Sequence, residues 1–308
     1  MSEAGTNLQN RFDIIGCDDS KAEAMLRPSI TFWQDSWRRF KKNKVAVIAA
    51  ILLIAIGIFT LVVPMISPND FAKINTVDKN LSPSAKYWFG TDELGRDLFV
   101  RVAIGGRISI IIGICCTMVQ VLVGTLYGGI SGYFGGIVDD IMMRIVEIIG
   151  SIPYLVVVIL ISLIMGKSVF ALVFAMTVIA WDNTARLVRG QVMQLKEMEF
   201  IHAERALGSG PSRIIIKHML PNVLGIIIVR ATLSVPGFIF TEAFLSYIGL
   251  GVVPPDTSWG ALAAAAQQKL MFYPYMLFYP CLFISLTMLA FTLMGDGLTD
   301  ALDPKLRQ

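Results

Sequence analysis

Few residues in this chain could carry out metal or covalent chemistry. Its two histidines, His202 and His218, fall on separate expected elements, so no metal site is predicted. The four cysteines form no C-x-x-C pair, which favours apolar packing over a disulfide framework or a zinc site. The apolar segments hold no H-E-x-x-H, G-x-S-x-G or paired-aspartate motif, which argues against an enzyme built into them.

Charged side chains inside apolar segments are stronger functional candidates, because a charge is costly there. Arg230 and Glu242 both stand in the apolar stretch 223–250. Pro236 and Gly237 lie between them and predict a kink that could serve as a hinge. Either charge could face a water-filled path and bind a polar solute, or it could pair with another protein chain.

The composition predicts an all-α protein that crosses a membrane several times. Hydrophobic residues make up 55% and charged residues 16% of the 308 residues, and the mean hydropathy is +0.66. Soluble domains carry about 25% charged residues. The apolar residues are grouped in blocks long enough to span a bilayer. The net charge of +3 gives no global electrostatic support for nucleic-acid binding.

Six apolar blocks are predicted as membrane spans, and polar segments separate them. The spans occupy 45–66, 108–130, 137–165, 169–188, 223–250 and 274–295. The polar segments are an N-terminal region 1–44, outer loops 67–107 and 251–273, a loop 189–222 and a tail 298–308. In the N-terminal region, aromatic residues recur at helical spacing between basic ones, which predicts an amphipathic helix at the membrane surface.

The distribution of lysine and arginine predicts which side of the membrane each polar segment occupies. With six spans, both termini lie on the same side. Lys and Arg are more numerous in the N-terminal region and in the loop 189–222 than in the outer loops. The N-terminus, this loop and the C-terminal tail are therefore expected in the cytoplasm. The first apolar run follows a long polar segment, which favours a retained anchor over a cleaved signal peptide.

The loop 189–222 is the longest polar interruption in the C-terminal two thirds of the chain. A helix over 199–207 would place Phe200, Ala203 and Leu207 on one stripe. The alanine is small, so the surface of a partner protein could come close to this stripe.

Glycine and proline divide the same loop into two parts. Gly208 is expected to end the first helix, and Ser212 can cap a second one. Leu220 and Pro221 then predict a break before the next span. A short helix set across the ends of two spans would act as a lever on them. An ordinary amphipathic connector would show the same pattern.

The stretch HAERALG, followed by a Leu-Pro pair, resembles the EAA loop of importer-type ABC permeases. In this comparison His202 stands where Glu is usual, and Glu204 stands where the second Ala is usual. Three further stretches resemble the peptide/nickel branch of that family: WFGTDELGRDLFVRVAIGGRIS, EAFLSYIGLGVVPPDTSWG and MGDGLTDALDPKLRQ. The resemblance covers roughly residues 30–308.

The resemblance implies a type I ABC importer fold with a transmembrane domain over 108–297. The chain would be a permease subunit in a prokaryotic cytoplasmic membrane, in contact with its lipids. The implied partners are a homologous second permease, two cytoplasmic ABC ATPases and an extracytoplasmic peptide-binding protein. No cofactor is implied for this chain, because ATP and Mg would bind the ATPases, and the sequence has no G-x-x-x-x-G-K-[ST] loop.

The same resemblance assigns residues to ATPase coupling through their positions in the EAA loop: Phe200, His202, Ala203, Glu204, Arg205, Ala206, Leu207, Gly208, Leu220 and Pro221. The candidates for the pathway or its gate are Arg230, Pro236, Gly237 and Glu242, although the family-like motif around Glu242 favours a structural role there. Oligopeptides are the expected substrate. Dipeptides, a nickel chelate or another small solute are alternatives, and a secondary transporter is the alternative of a different class.

Overall fold

A computed structural model of the chain describes residues 31–69 and 71–302. The predicted N-terminal region before residue 31 and the end of the predicted tail lie outside these residues. The described part is helical apart from turns, loops and one isolated β-bridge. The helices in chain order are α1 Phe32–Lys42, α2 Lys44–Ile66, α3 Leu98–Phe134, α4 Gly136–Gly150, α5 Tyr154–Met165, α6 Val169–Thr177, α7 Asp182–Lys196, α8 Glu199–Ala206, α9 Pro211–Tyr247, α10 Trp259–Gln267 and α11 Tyr275–Leu302.

The long helices are the ones that could cross a bilayer. Among the described residues, α2, α3, α9 and α11 are each long and apolar enough to do so. Two helix pairs pass the same criteria together but are bent, α4 with α5 by 78° and α6 with α7 by 46°. Residues 31–69 and 71–302 therefore include four candidate spans made of one helix each, or up to six spans if each bent pair crosses once.

The predicted spans 137–165 and 169–188 each consist of two helices that meet at a bend, so neither is one straight helix. The first breaks before Pro153, which has no N–H to donate and restricts the residue before it. The second breaks near Trp181, whose indole N–H donates to the carbonyl oxygen of Val178 at 2.8 Å. Both breaks lie toward the same side of α9, as described below.

The other helices extend beyond the predicted spans. Helix α3 begins at Leu98 because Asp97 caps it, accepting a hydrogen bond from the N–H of Phe99 at 2.9 Å. Helix α7 continues to Lys196, so the first part of the predicted loop 189–222 is helical. Helix α11 continues to Leu302 and includes the beginning of the predicted tail.

Helix α9 passes without interruption through both proline positions where the sequence predicts a break or a kink. A wider π-helical turn over Ile214–Met219 lies directly before Pro221, and such a turn relieves the clash of the proline ring with the preceding turn. The Asn222 side chain donates to the carbonyl oxygen of His218 at 2.6 Å. The expected break at Leu220 and Pro221 is therefore absent, and the polar loop leads directly into the span.

A row of glycines brings α3 and α7 into close contact. Gly124, Gly128 and Gly132 lie one turn apart on α3 and all face α7. A Cβ atom added to Gly128 would lie 3.0 Å from the carbonyl carbon of Ala185 and 3.0 Å from the backbone nitrogen of Arg189. Because these neighbours are backbone atoms, neither can move aside without shifting α7. Glycine at these positions therefore permits the close packing of the two helices.

We expect Gly128→Leu to destabilise the protein by about 1–3 kcal/mol, because the added side chain forces apart two backbones that touch. The midpoint of thermal unfolding in detergent should fall by several degrees. Gly57→Leu is the matched control, since a Cβ at Gly57 meets no atom within 4 Å. An equal effect of the two substitutions would contradict the importance of the glycine row.

Helix α1 is attached to the helix bundle along one side. Phe40 is buried against Ala46 of α2 and Ala301 of α11, and Ser36 is buried on the same side. Trp33 and Trp37 are exposed, with 52% and 58% of their surface accessible. An exposed aromatic side next to basic residues suits a membrane surface. The position of this helix at the interface remains a prediction, because the structure contains no membrane.

The segment 67–97 has little regular structure but is held by side-chain hydrogen bonds. The Tyr87 hydroxyl donates to the carboxylate of Asp78 at 2.7 Å, and the Lys86 ammonium lies 3.0 Å from the same oxygen. The hydrogen bond from Tyr87 and the charge of Lys86 lower the pKa of Asp78 below its ordinary value. The Tyr275 hydroxyl donates to the carbonyl oxygen of Thr91 at 3.0 Å, which ties this segment to α11.

Candidate functional site

Helix α8 lies across the end of α7 and the beginning of α9, and one buried side chain anchors it. Ile201 has no accessible surface and packs in an apolar cluster with Val192 of α7 and with Ile214, Met219 and Val223 of α9. Fully burying such a side chain contributes about 1.5–3 kcal/mol. The sequence pattern did not identify this anchor, because Ile201 lies outside the stripe predicted to matter.

The surface of α8 opposite Ile201 is exposed and contains most of the residues that the sequence assigned to coupling. Phe200 is 42% exposed and Leu207 is 82% exposed. The exposed residues of this surface are Phe200, His202, Ala203, Ala206, Leu207 and Gly208. We call them the α8 face. It offers two large apolar side chains separated by two alanines.

Glycine ends α8 as predicted, and the backbone shows why. Gly208 has φ +78, in the left-handed region that favours glycine. Its N–H donates to the carbonyl oxygen of Arg205 at 2.9 Å, and the N–H of Ser209 donates to that of Glu204 at 3.1 Å. This pair of hydrogen bonds is the Schellman arrangement of a helix end. A Cβ at Gly208 would meet no atom within 4 Å, so the backbone dihedral alone makes glycine favourable there.

The charged residues of α8 interact with their own chain. The Ser209 hydroxyl donates to the carboxylate of Glu204 at 2.6 Å, and the His218 imidazole lies 3.5 Å from its other oxygen. The hydrogen bond from Ser209 lowers the pKa of Glu204, so this side chain is ionised at neutral pH. The Arg205 guanidinium lies over the Tyr133 ring, 5.2 Å from its centre. Glu204 and Arg205 therefore fix the helix and its turn, and both are half-buried.

The Leu-Pro pair at the end of the loop does not belong to the α8 face. Leu220 is half-buried and packs against the apolar cluster beneath α8, whereas Pro221 is exposed on α9. In the second part of the loop, Ile214 and Ile215 are buried under α8 as expected, but Ile216 is 62% exposed. Leu220 therefore supports α8 from below, and the chain continues through Pro221 into the span.

A buried ion pair that the sequence did not predict holds α7, which leads into α8. The Arg189 guanidinium donates to the carboxylate of Asp139 with Nε 2.6 Å from Oδ1. The Ser131 hydroxyl donates to the same carboxylate. Asp139 is 5% exposed, so the pair is largely shielded from water on the carboxylate side. It joins α3, α4 and α7, and Arg189 lies 50 residues from Asp139 in the sequence.

The residues proposed for a pathway separate into two groups. A cavity of about 560 Å³ lies beside α9, and Arg230 and Gly237 are among its lining residues. Pro236 is buried and does not line this cavity.

Glu242, the other charged candidate, lies in a different environment from Arg230 and Gly237. It has no accessible surface and does not line the cavity. Its carboxyl group accepts hydrogen bonds from the hydroxyls of Ser109 at 2.9 Å and Ser246 at 2.7 Å. The Ser109 hydroxyl in turn accepts a hydrogen bond from the backbone N–H of Trp259 at 3.2 Å. The hydroxyl oxygens of Ser246 and Ser258 lie 3.3 Å apart. The carboxyl group thus joins α3 and α9 to the beginning of α10.

His202 and His218 do not form a metal site with other ligands. His202 is exposed on the α8 face, while His218 lies beside Glu204. Within residues 31–69 and 71–302, no group of three or more His, Cys, Asp or Glu residues is arranged to hold a metal ion.

Comparison with known proteins gives matches over most of the chain. Residues 124–308 match the family described as the inner membrane component of binding-protein-dependent transport systems. Residues 31–83 match the N-terminal TM domain of oligopeptide transport permease C.

Individual relatives match nearly end to end. The chain is 45% identical to the oligopeptide transport system permease protein OppC of Bacillus subtilis (strain 168), over 97% of this chain and 98% of the relative. It is 46% identical to the dipeptide transport system permease protein DppC of the same organism, over 94% and 90%. The corresponding oligopeptide permease protein of Haemophilus influenzae is 43% identical, over 96% of each chain.

Proposed function

Because the chain belongs to the family of inner membrane components of binding-protein-dependent transport systems, we propose that it forms one half of the pore of an ATP-driven oligopeptide importer. It is a multi-pass membrane permease of a bacterial ABC importer, and it is a transport subunit rather than an enzyme. The proposal adds the substrate, the partners and the residues that connect the pore to ATP hydrolysis.

The α8 face is the proposed docking surface for an ABC ATPase. The observation that carries this assignment is that Phe200 and Leu207 are exposed on a helix that Ile201 anchors firmly from the other side. Apolar side chains of this size fill pockets at protein interfaces. Ala203 and Ala206 allow the ATPase surface to approach the helix backbone, while His202 supplies a polar group at the centre of the contact.

Force on α8 would reach the spans through the elements that hold it. Ile201 connects α8 to α7 and α9 through one apolar cluster. The ion pair between Arg189 and Asp139 connects α7 to α4. When ATP binding brings the two ATPases together, movement of α8 would carry α7 and α9 with it as rigid elements, as packed helices move in hinge and shear transitions.

The remaining partners follow from the family. A homologous second permease would complete the pore, two cytoplasmic ATPases would drive it, and an extracytoplasmic peptide-binding protein would deliver the substrate. Oligopeptides are the preferred substrate because relatives named for oligopeptide transport match nearly the whole chain. Dipeptides are the second candidate, because the relative named for dipeptide transport is equally similar.

The proposed orientation places the termini and α8 in the cytoplasm. It is supported by the lysine and arginine residues of the N-terminal region and of the loop 189–222. A topology reporter fused after Lys196 should be active only in its cytoplasmic form. A reporter found outside the membrane would reverse the orientation and remove α8 from the reach of any ATPase.

Reconstitution tests the whole proposal. The tagged chain is purified in mild detergent, the co-purifying proteins are identified by mass spectrometry, and the assembly is placed in vesicles with its binding protein. We expect a second permease and one or two ATPases, and peptide uptake that needs ATP and is blocked by vanadate. Uptake by the chain alone, driven by a proton gradient, would favour a secondary transporter instead.

A further inference from the structure

The cavity beside α9 lies where two breaks between helices face that helix. Its lining includes Ser151 to Pro153 at the break between α4 and α5, and Ile179 and Ala180 at the break between α6 and α7. Gly237, which follows Pro236 in α9, also lines it. Broken helices in membrane proteins are tolerated where they border a cavity, because polar backbone groups at a helix end need partners.

The volume of the cavity and its polar groups suit a ligand. About 560 Å³ is within the range of cavities that bind small molecules. Gln120 lines the cavity from α3 with only 4% of its surface exposed, and its side-chain oxygen has no hydrogen-bond partner among the described residues. A buried amide without a partner costs free energy, so a ligand that pairs with it gains affinity.

Arg230 gives the cavity its positive charge. No other lysine or arginine of the described residues lines this cavity. The Nε atom of Arg230 has no hydrogen-bond partner in the described part of the chain. The acidic lining residue, Asp182, is 8% exposed and already lies 3.7 Å from the Arg186 guanidinium. A guanidinium presents a planar set of donors that matches a carboxylate.

We propose that this cavity is a station for the C-terminal carboxylate of a peptide on its way through the membrane, with Arg230 binding the carboxylate. Gln120 pairs with the adjacent peptide group, whichever of its two amide atoms faces the ligand. The inference rests on the proposed function, since it assumes that peptides pass this chain. The contact is useful only if it is weak enough to release the peptide, and the half-buried position of Arg230 keeps an arginine–carboxylate pair in that range.

The test compares one peptide with a free C-terminal carboxylate and the same peptide as its C-terminal amide. The pair is chosen so that the unaltered binding protein binds both forms. Uptake is measured in vesicles with the complete importer. In the unaltered importer we expect faster uptake of the carboxylate form. Arg230→Gln should lower its uptake about tenfold and leave uptake of the amide nearly unchanged, so the preference disappears. Arg230→Lys, which keeps the positive charge, should retain part of the preference for the carboxylate form.

Arg107→Gln is the matched control, because Arg107 is exposed on α3 and does not line the cavity; it should keep the preference. Equal loss of both peptides in Arg230→Gln would show a structural role and overturn the proposal, as would an unchanged preference. Absence of ATP-dependent uptake of any peptide by the unaltered importer would instead overturn the proposed function.

Discussion

Gly208→Val is expected to lower ATP-driven uptake by at least about tenfold while the protein still inserts and folds. Gly208 has φ +78, and a left-handed conformation costs a residue with a side chain about 1–2 kcal/mol, more when the side chain is branched at Cβ. A cost of 1.4 kcal/mol shifts a conformational equilibrium tenfold. The chain would relieve this cost by rearranging the turn that fixes α8 relative to α9.

Two control variants separate backbone conformation from bulk. Gly208→Asn should keep most of the uptake, because asparagine tolerates the left-handed region. Gly210→Val places the same side chain two positions later, where φ is −70 and a Cβ meets no atom within 4 Å, and should also keep it. Normal uptake in Gly208→Val would contradict the lever role of α8. Equal loss in Gly210→Val would assign the effect to bulk in the turn.

Glu242→Ala is expected to destabilise the protein by about 3 kcal/mol or more. The substitution leaves a cavity in a fully buried site and removes the acceptor of the hydroxyls of Ser109 and Ser246. Cavities from such truncations cost about 2–5 kcal/mol, and each unpaired buried hydroxyl costs about 1–3 kcal/mol. The midpoint of thermal unfolding in detergent should fall, and uptake should fall with the amount of folded protein.

Glu242→Gln and Glu242→Leu separate the contributions of charge, hydrogen bonding and volume to this loss of stability. The glutamine keeps the shape and can pair with both hydroxyls, which are free to rotate, so it should remain close to the original stability. The leucine fills most of the volume but pairs with nothing, so its loss should lie between the other two. If glutamine were as damaging as alanine, the negative charge itself would be required. Unchanged stability in Glu242→Ala would remove Glu242 from the network that holds α10.

The local features of α8 could be predicted from the sequence, because they depend on neighbouring residues. The spacing of Phe200, Ala203 and Leu207 indicated a helix, and Gly208 indicated its end; the structure has a helix at Glu199–Ala206 and a left-handed glycine after it. The pattern could not show that Ile201 is the buried anchor, because that depends on how α7 and α9 pack around α8.

Long-range pairs were the features that the sequence did not reveal. Asp139 and Arg189 each stand near an apolar segment, and nothing in their local pattern joins them, yet they form an ion pair. Glu204 was assigned to ATPase coupling, and nothing in the local pattern showed that Ser209 and His218 would hold it within its own loop. Glu242 was a pathway candidate because it is charged, and one of the two hydroxyls that satisfy it, that of Ser109, comes from a distant helix.

The predicted helix boundaries differ from the observed ones for a related reason. Proline predicted breaks in α9, but a wider turn before Pro221 lets the helix continue. The breaks between α4 and α5 and between α6 and α7 occur inside apolar stretches that hydropathy alone treats as continuous. Hydropathy measures whether a segment can enter a bilayer, and it carries no information on whether the helix stays straight.

Site-specific photo-cross-linking from the α8 face tests the central claim most directly. A benzophenone amino acid replaces Leu207, which is 82% exposed, or Met271, which is 89% exposed beyond α10. In cells containing the complete transport system, position 207 should cross-link to a protein with a G-x-x-x-x-G-K-[ST] nucleotide loop, and position 271 should not. An ATPase that co-purifies with the chain but never cross-links at 207, or cross-links equally at 271, would contradict the account.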